Sequence, residues 1–273
     1  MGIVGACIAP HGVEVIAELA GEMLDSFAET RKGMLKLAEE MNSQHPETIV
    51  LATPHNLRLE SMIGVIATES TEGSLEANNK QIRLHCECDR QLARKILEKA
   101  KLRKLPVVGV DYGTSGGPAS CMPMDWGTLI PLWFLAGRNK PLKVVIVTPS
   151  REIPLENLVD FGIAVAESAE KLKRRTVFVA SADQGHAHKR DGPYGFNPAS
   201  KEYDEIVVQA VRSNSLKPLL SLSQYLVENA KPDSLWQMAI LEGVLESIPM
   251  KAELLSYQVP TYFGLLCAIF KQR

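Results

Sequence analysis

Runs rich in β-branched and other apolar residues alternate along this chain with segments of helical periodicity. That alternation constrains the fold more than any other feature. Strands are predicted at TIVLAT (48–53), MIGVIAT (62–68), QIRLHCEC (81–88), PVVGV (106–110), KVVIVTP (143–149) and TVFVAS (176–181). Three of these are unbroken apolar runs, as expected of strands covered on both faces. Helical spacing is found over 30–42, where Met34, Leu35, Leu37, Ala38 and Met41 are read on one side, and over 89–101, with Asp89 as its N-cap. Further helices are predicted over 155–174, 202–212 and 234–247, and IPLWFLAG (130–137) reads as a buried helix. The tail AELLSYQVPTYFGLLCAIF reads as two late strands with a turn around Pro260. The expected fold is α/β: one domain over 1–273, a three-layer sandwich whose mixed, mostly parallel central sheet carries helices on both faces.

Composition narrows the function classes. With 45% apolar and 23% charged residues, a sizeable core is available. The net charge of −2 favours neither nucleic acid nor an acidic membrane surface, and no Lys/Arg block marks a nucleic-acid footprint. No apolar run approaches a membrane span, and MGIVGACIAPHG is too short and broken for a signal peptide. Five cysteines, at 7, 86, 88, 121 and 267, fit a reduced, cytoplasmic protein better than a disulfide scaffold. In HCEC (85–88), Cys86 and Cys88 share one face of a strand and read as small half-buried residues, because no second Cys/His pair stands at a metal-binding spacing.

Histidine is scarce, with six in 273 residues, and its placement is informative. GIVGACIAPHG ends an apolar run in Pro10-His11-Gly12, TIVLATPHN ends another in Pro54-His55-Asn56, and TVFVASADQGHAH delivers His186 and His188 just past a third. Ligands in α/β folds gather at the carboxyl ends of strands. His45, in a polar connection, and His85, mid-strand, read as structural. Two imidazoles and one carboxylate form a facial set that holds a divalent metal and leaves positions open. Glu242 is one candidate carboxylate: it interrupts the stripe Leu235, Met238, Ala239, Leu245 of a predicted helix, and a buried carboxylate is costly unless paired or metal-bound. Pairing with a neighbouring Lys or Arg is the alternative for Glu242, and Glu246 is its competitor for the ligand role.

The motifs APHG, TPHN, MDWGTLIPLWFL and SADQGHAHKRDGPYGFNP, in this order and separation, resemble those of the LigB-like class III extradiol ring-cleavage dioxygenases. That superfamily includes the catalytic subunit of protocatechuate 4,5-dioxygenase, DOPA-type dioxygenases and the Memo proteins. The resemblance implies a non-haem Fe(II), with zinc or manganese possible in its place, held by His11, His55 and Glu242. It also implies a histidine off the metal acting as acid–base: His186, three residues after Asp183 and seven before Pro193, or His188. Asp125 and Trp126 are the implied substrate contacts; Tyr194 and Phe196, read from the loop itself, could wall an aromatic ligand, with ordinary loop packing as the alternative. Where relatives read Asp-His-Gly this chain has Asp125-Trp126-Gly127, replacing a titrating ring by one donor with no acceptor, and Gly185 stands where relatives have serine.

The reaction so implied is dioxygen-dependent cleavage of a catechol- or aminophenol-type ring, as in aromatic compound catabolism. The expected partners are a small aromatic substrate and O2, with no nucleic acid and no membrane. A homo-oligomer is the default expectation, and some relatives use a small lid subunit. A zinc-dependent hydrolase on the same ligands, or a Memo-like non-catalytic binding protein, are the alternatives.

Overall fold

The computed structural model describes residues 2–136 and 142–272. Their centre is an eight-stranded sheet. Its strands are β1 (Ile3–Ala9), β2 (Thr48–Ala52), β3 (Ile63–Ile66), β6 (Val107–Val110), β8 (Lys143–Pro149), β9 (Thr176–Ser181), β10 (Lys251–Gln258) and β11 (Leu265–Lys271). They run in the order β10-β11-β1-β9-β2-β8-β3-β6. The middle four, β1, β9, β2 and β8, are mutually parallel, whereas β11 joins β1, β10 joins β11 and β3 joins β8 in antiparallel fashion. Every residue of β2 and β9 is buried, which explains their unbroken apolar sequences.

Strand alternation sorts the core into two layers. Val50, Ala52, Val145, Val147, Phe178 and Ala180 face one layer. That side is covered by α2 (Arg90–Leu102), α4 (Leu155–Lys171), α5 (Pro198–Arg212), α6 (Gln224–Ala230) and α7 (Leu235–Ser247). Ile49, Leu51, Val144, Val177 and Val179 face the other, covered by α1 (Ala28–Ser43) and α3 (Trp126–Leu135). The three-layer sandwich expected from the sequence is therefore present. The buried helix predicted over 130–137 is the later part of α3, and Gly137 lies outside the described residues.

Within the first layer, α4 and α7 pack backbone to backbone. A Cβ on Gly162 would lie 2.0 Å from the Ile240 carbonyl oxygen, and one on Gly243 would lie 1.9 Å from that of Val159. Only glycine permits this approach of the two helices.

A second, smaller sheet was not expected. β5 (Lys80–Glu87), predicted as a strand, belongs to a separate three-stranded sheet, between solvent and β4 (Ser70–Ala77), with β7 (Cys121–Pro123) on the far side of β4. The β4–β5 turn is Asn78-Asn79, with φ of 51° and 59°. Two successive left-handed residues are what a two-residue hairpin turn requires, and asparagine tolerates that region best after glycine. Along β5, Ile82 and Cys86 point inward and Arg83, His85 and Glu87 outward, as the alternation in the sequence suggested. All five cysteines are free thiols.

Candidate metal centre

The parallel strands end on one edge of the sheet, and the residues just beyond them line a cavity of about 770 Å³. His11 follows β1, His55 follows β2, Arg151 follows β8, and Asp183 and His186 follow β9. Asp233, in the short link between α6 and α7, completes the floor.

Three donor atoms converge there. His11 Nε2 lies 3.3 Å from His55 Nε2 and 3.3 Å from Asp233 Oδ2, and His55 Nε2 lies 3.4 Å from the same oxygen. The triangle is nearly equilateral. Donors bound at about 2.0–2.2 Å and splayed at right or tetrahedral angles around one ion would lie roughly 3.0–3.5 Å apart. The two imidazoles and one carboxylate thus fit a divalent metal in both chemistry and spacing.

The structure brings His11 and His55 together, as the sequence anticipates, but the carboxylate it places beside them is Asp233 and not Glu242. Glu242 is buried in α7, but its Oε2 accepts the Leu216 N–H at 3.0 Å and is not among the converging donors. Glu246 pairs with Lys217 at 3.1 Å. The reason is axial: the amino end of α7 faces the strand ends, and position 242 stands seven residues further along, about 10 Å away at 1.5 Å per residue. Asp233, just ahead of the helix, has the required height. Its sequence context, Pro232-Asp233-Ser234 before an apolar helix, is that of an ordinary helix cap and disguised it.

Hydrogen bonds fix how His11 presents itself. Ser181 Oγ donates to the Gly127 carbonyl at 2.5 Å, so it can only accept from His11 Nδ1, at 2.9 Å. Nδ1 therefore carries a proton, and Nε2, turned to the triangle, is the nitrogen on which a metal ion would take the place of a proton. The backbone N–H of His11 donates to Asp183 Oδ1 at 2.9 Å, and that of Asp183 donates to Asp233 Oδ1 at 3.0 Å. The second oxygen of Asp183 lies 3.4 Å from His11 Nε2. Burial alone would lower the His11 pKa, but Asp183 and Asp233 overcome it and push it up to about 9. Burial raises Asp183 to about 7 against the pull of His11. Burial also works to raise Asp233, yet His11, His55 and His186 hold it well below the usual carboxylate range. Two buried carboxylates around two imidazoles make this a place that demands positive charge.

His186 and His188, two apart, separate in role. His186 lines the cavity, donates from Nδ1 to the Gln184 carbonyl at 2.7 Å, and turns Nε2 to within 3.9 Å of Asp233 Oδ2. It is stacked on Phe263, with ring centroids 5.5 Å apart, and meets Tyr194 edge-on at 5.9 Å. Burial lowers its pKa, so the ring is neutral near pH 7 with a free lone pair facing the cavity. His188 is not part of the cavity wall. Its Nε2 bonds to buried Asp204 Oδ2 at 2.8 Å, and Asp204 also accepts from Tyr257 and from the Gly185 N–H. His188 therefore anchors the loop that carries His186.

Of the expected substrate contacts, Trp126 and Tyr194 line the cavity and Asp125 does not. Asp125 caps α3: its carboxylate accepts from the Thr128 N–H at 2.9 Å and the Thr128 hydroxyl at 2.8 Å. Trp126, on the first turn of α3, lies over His55 with ring centroids 4.1 Å apart. Gly185 is required by packing, since a Cβ there would meet Ser200 at 2.8 Å, leaving no room for a serine.

The fold and this centre define a class. Residues 5–266 match the family described as the catalytic LigB subunit of aromatic ring-opening dioxygenase, and the chain belongs to that family. Among curated proteins it is similar to Protein CA_C1420 of Clostridium acetobutylicum, at 27% identity over 94% of this chain. The chain spans only 55% of that relative's length. Among solved structures it shares its fold with the uncharacterized protein JW3007 of Escherichia coli K12. The TM-score is 0.64 at 15% identity, covering 97% of this chain and 99% of the other. Among the described residues, no helix is long and apolar enough to cross a membrane.

Proposed function

We propose that the chain is a metal-dependent extradiol dioxygenase that opens the ring of a catechol-type aromatic with O2. The observation that carries this reading is the convergence of His11 Nε2, His55 Nε2 and Asp233 Oδ2, with the neutral His186 Nε2 only 3.9 Å from the carboxylate. His11, His55 and Asp233 would hold the ion. Bound there, Fe(II) would supply the electron relay that lets a ring with adjacent hydroxyls react with dioxygen.

The protein's own residues do the rest. Ser181 keeps the proton of His11 on Nδ1 and so keeps Nε2 available. His186 is held at Nδ1 by the Gln184 carbonyl, leaving Nε2 to take a proton from a substrate hydroxyl. Its depressed pKa favours the neutral base at the start, and Asp233 stabilises the imidazolium once it forms. That imidazolium is then the acid available as the ring opens. Trp126, Tyr194 and Phe263 give the cavity flat apolar walls suited to an aromatic ring.

The test is anaerobic loading with Fe(II), addition of O2, and a screen of catechols and aminophenols for coloured ring-fission products. Absorbance that depends on both iron and oxygen is the expected result. Hydrolysis of an ester by the zinc-loaded protein, with no catechol consumed in the iron form, would overturn the assignment in favour of a hydrolase.

A further inference from the structure

The inner face of α5 breaks the pattern of an amphipathic helix. Its second half buries Val207 and Val211, but its first half buries Ser200, Tyr203 and Asp204, at i, i+3 and i+4 on one face. Polar side chains in such places cost stability unless they are hydrogen-bonded, and each of these is bonded to a segment of the metal centre. Ser200 Oγ accepts from the Ala187 N–H at 2.8 Å and donates at 3.0 Å to the Ala230 carbonyl, which also accepts from the His186 N–H at 2.8 Å. The Tyr203 hydroxyl bonds to that of Ser234 at 2.8 Å, next to Asp233. Asp204 takes three donors. Its Oδ1 accepts from the Gly185 N–H at 2.7 Å, and its Oδ2 accepts from His188 Nε2 at 2.8 Å and from the Tyr257 hydroxyl at 2.7 Å.

Two glycines admit this polar stripe. A Cβ on Gly185 would meet Ser200 at 2.8 Å, and one on Gly264 would lie 2.1 Å from Asp204 Oδ2. Gly264 is itself paired with the loop, donating to the Gly185 carbonyl at 3.0 Å and accepting from the Gln184 N–H at 2.8 Å. The Asp204 carboxylate therefore sits where three parts of the cavity wall meet: the loop of His186, the β10–β11 hairpin that carries Tyr262 and Phe263, and α5. Its bonds to residues 185 and 188 flank His186, whose ring is stacked on Phe263 of the hairpin. Burial, and then the charge of Asp204, push the Tyr257 pKa up, so this hydroxyl keeps its proton and donates. One carboxylate thus fixes loop and hairpin to each other, and the imidazole between them.

We propose that Asp204 is a positioning residue of the ring-opening reaction, a role that rests on the dioxygenase reading: by tying Gly185, His188 and Tyr257 together it keeps His186 Nε2 aimed at the three metal-binding donors. Displacing a proton-transfer group by about 1 Å can cost on the order of 10²-fold in rate. Asp204→Ala and Asp204→Asn test the role through retained iron and through kcat and KM for the catechol that the parent opens most rapidly. Asp204 is bonded to none of the metal-binding side chains, so both variants should keep stoichiometric iron and a KM within about threefold of the parent, whereas kcat of the alanine variant should fall about 10–100-fold. Asparagine should recover most of that loss. Its amide oxygen can stay on the Gly185 N–H, which can only donate, and its NH2 then meets His188 and Tyr257, both of which can turn to accept. His188 must in exchange move its proton from Nε2 to Nδ1. Nitrogen–proton correlation spectra of the histidine rings in the zinc-loaded protein read that transfer without turnover, and they read His186 as well. Its proton should sit on Nδ1 in the parent and in the asparagine variant, and divide between the two nitrogens in the alanine variant.

An unchanged kcat in a folded alanine variant, iron or KM lost in step with kcat, an asparagine variant no faster than the alanine one, or His188 still protonated on Nε2 in the asparagine variant would overturn the role of Asp204. Should the alanine variant not fold, the spectra of the asparagine variant decide alone. The two proposals fail separately. No ring fission by the parent removes the reaction, while the spectra still decide whether Asp204 holds His186. Ring fission with a His186 indifferent to position 204 removes only the role of Asp204.

Discussion

Ser181→Ala probes the metal centre through a residue that does not touch the metal. Ser181 is fully buried at the end of β9, and its hydroxyl joins two elements of the site: it accepts from His11 Nδ1 and donates to the Gly127 carbonyl at the start of α3. Alanine removes both bonds. The imidazole of His11 is then free to place its proton on Nε2, where it competes with a metal ion. Loss of an outer partner of a ligating histidine typically costs about 10–100-fold in metal affinity, or about 1.4–2.8 kcal/mol. The Gly127 carbonyl also loses a buried donor, which should cost about 1–3 kcal/mol of folding stability. Competition between the protein and a chromophoric chelator measures the first effect, and urea denaturation of the metal-free chain measures the second. A folded Ser181→Ala protein that binds metal within about twofold of the parent would refute the claim that this hydroxyl sets the tautomer of His11.

Other residues give independent checks. His186→Ala should keep its metal, because its ring is not one of the three donors, yet lose ring-fission turnover by about 10²–10⁴-fold; an unchanged rate would remove it from proton transfer. Gly243→Ala should destabilise the chain by at least about 1–3 kcal/mol in urea, since its Cβ would lie 1.9 Å from the Val159 carbonyl and two helices would have to separate; a neutral effect would contradict the packing. Burial raises the pKa of Glu242, with Glu246 adding to the rise and the Leu216 N–H and Lys217 opposing it. In the window above its unfolded value the native chain retains a proton that the unfolded chain has lost. Its contribution to stability is therefore complete below that unfolded value and is lost as pH rises through the folded one. Glu242→Gln, whose amide oxygen can still accept from Leu216, should gain on the parent as pH rises from about 4 to 7 in urea melts; a constant difference across that range would be contrary to the assignment.

The sequence made the sheet legible because its central strands are buried on both faces and so are written as unbroken apolar runs. It made His11 and His55 legible because each follows such a run after a proline, at the edge where α/β folds bind ligands. The second sheet was obscured by β4, whose residues Ser70–Ala77 alternate with small and acidic side chains and carry little β signal; the Asn78-Asn79 turn was its best marker. Asp233 drew no notice in the sequence and Asp125 was assigned to the substrate, for a common reason. An aspartate ahead of a helix has the same local signature whether it caps the helix or reaches across the fold, and only the tertiary arrangement shows that Asp125 does the first and Asp233 the second. His188 shared a motif with His186, but its partner Asp204 stands sixteen residues away on α5, beyond what local spacing reveals.

The account stands on the identity of the carboxylate that joins His11 and His55. Asp233→Asn and Glu242→Gln, each loaded anaerobically with Fe(II), passed through a desalting column and assayed for retained iron, decide it. Stoichiometric iron in Glu242→Gln and little or none in Asp233→Asn is the predicted result. Full retention by Asp233→Asn, or loss confined to Glu242→Gln, would contradict it.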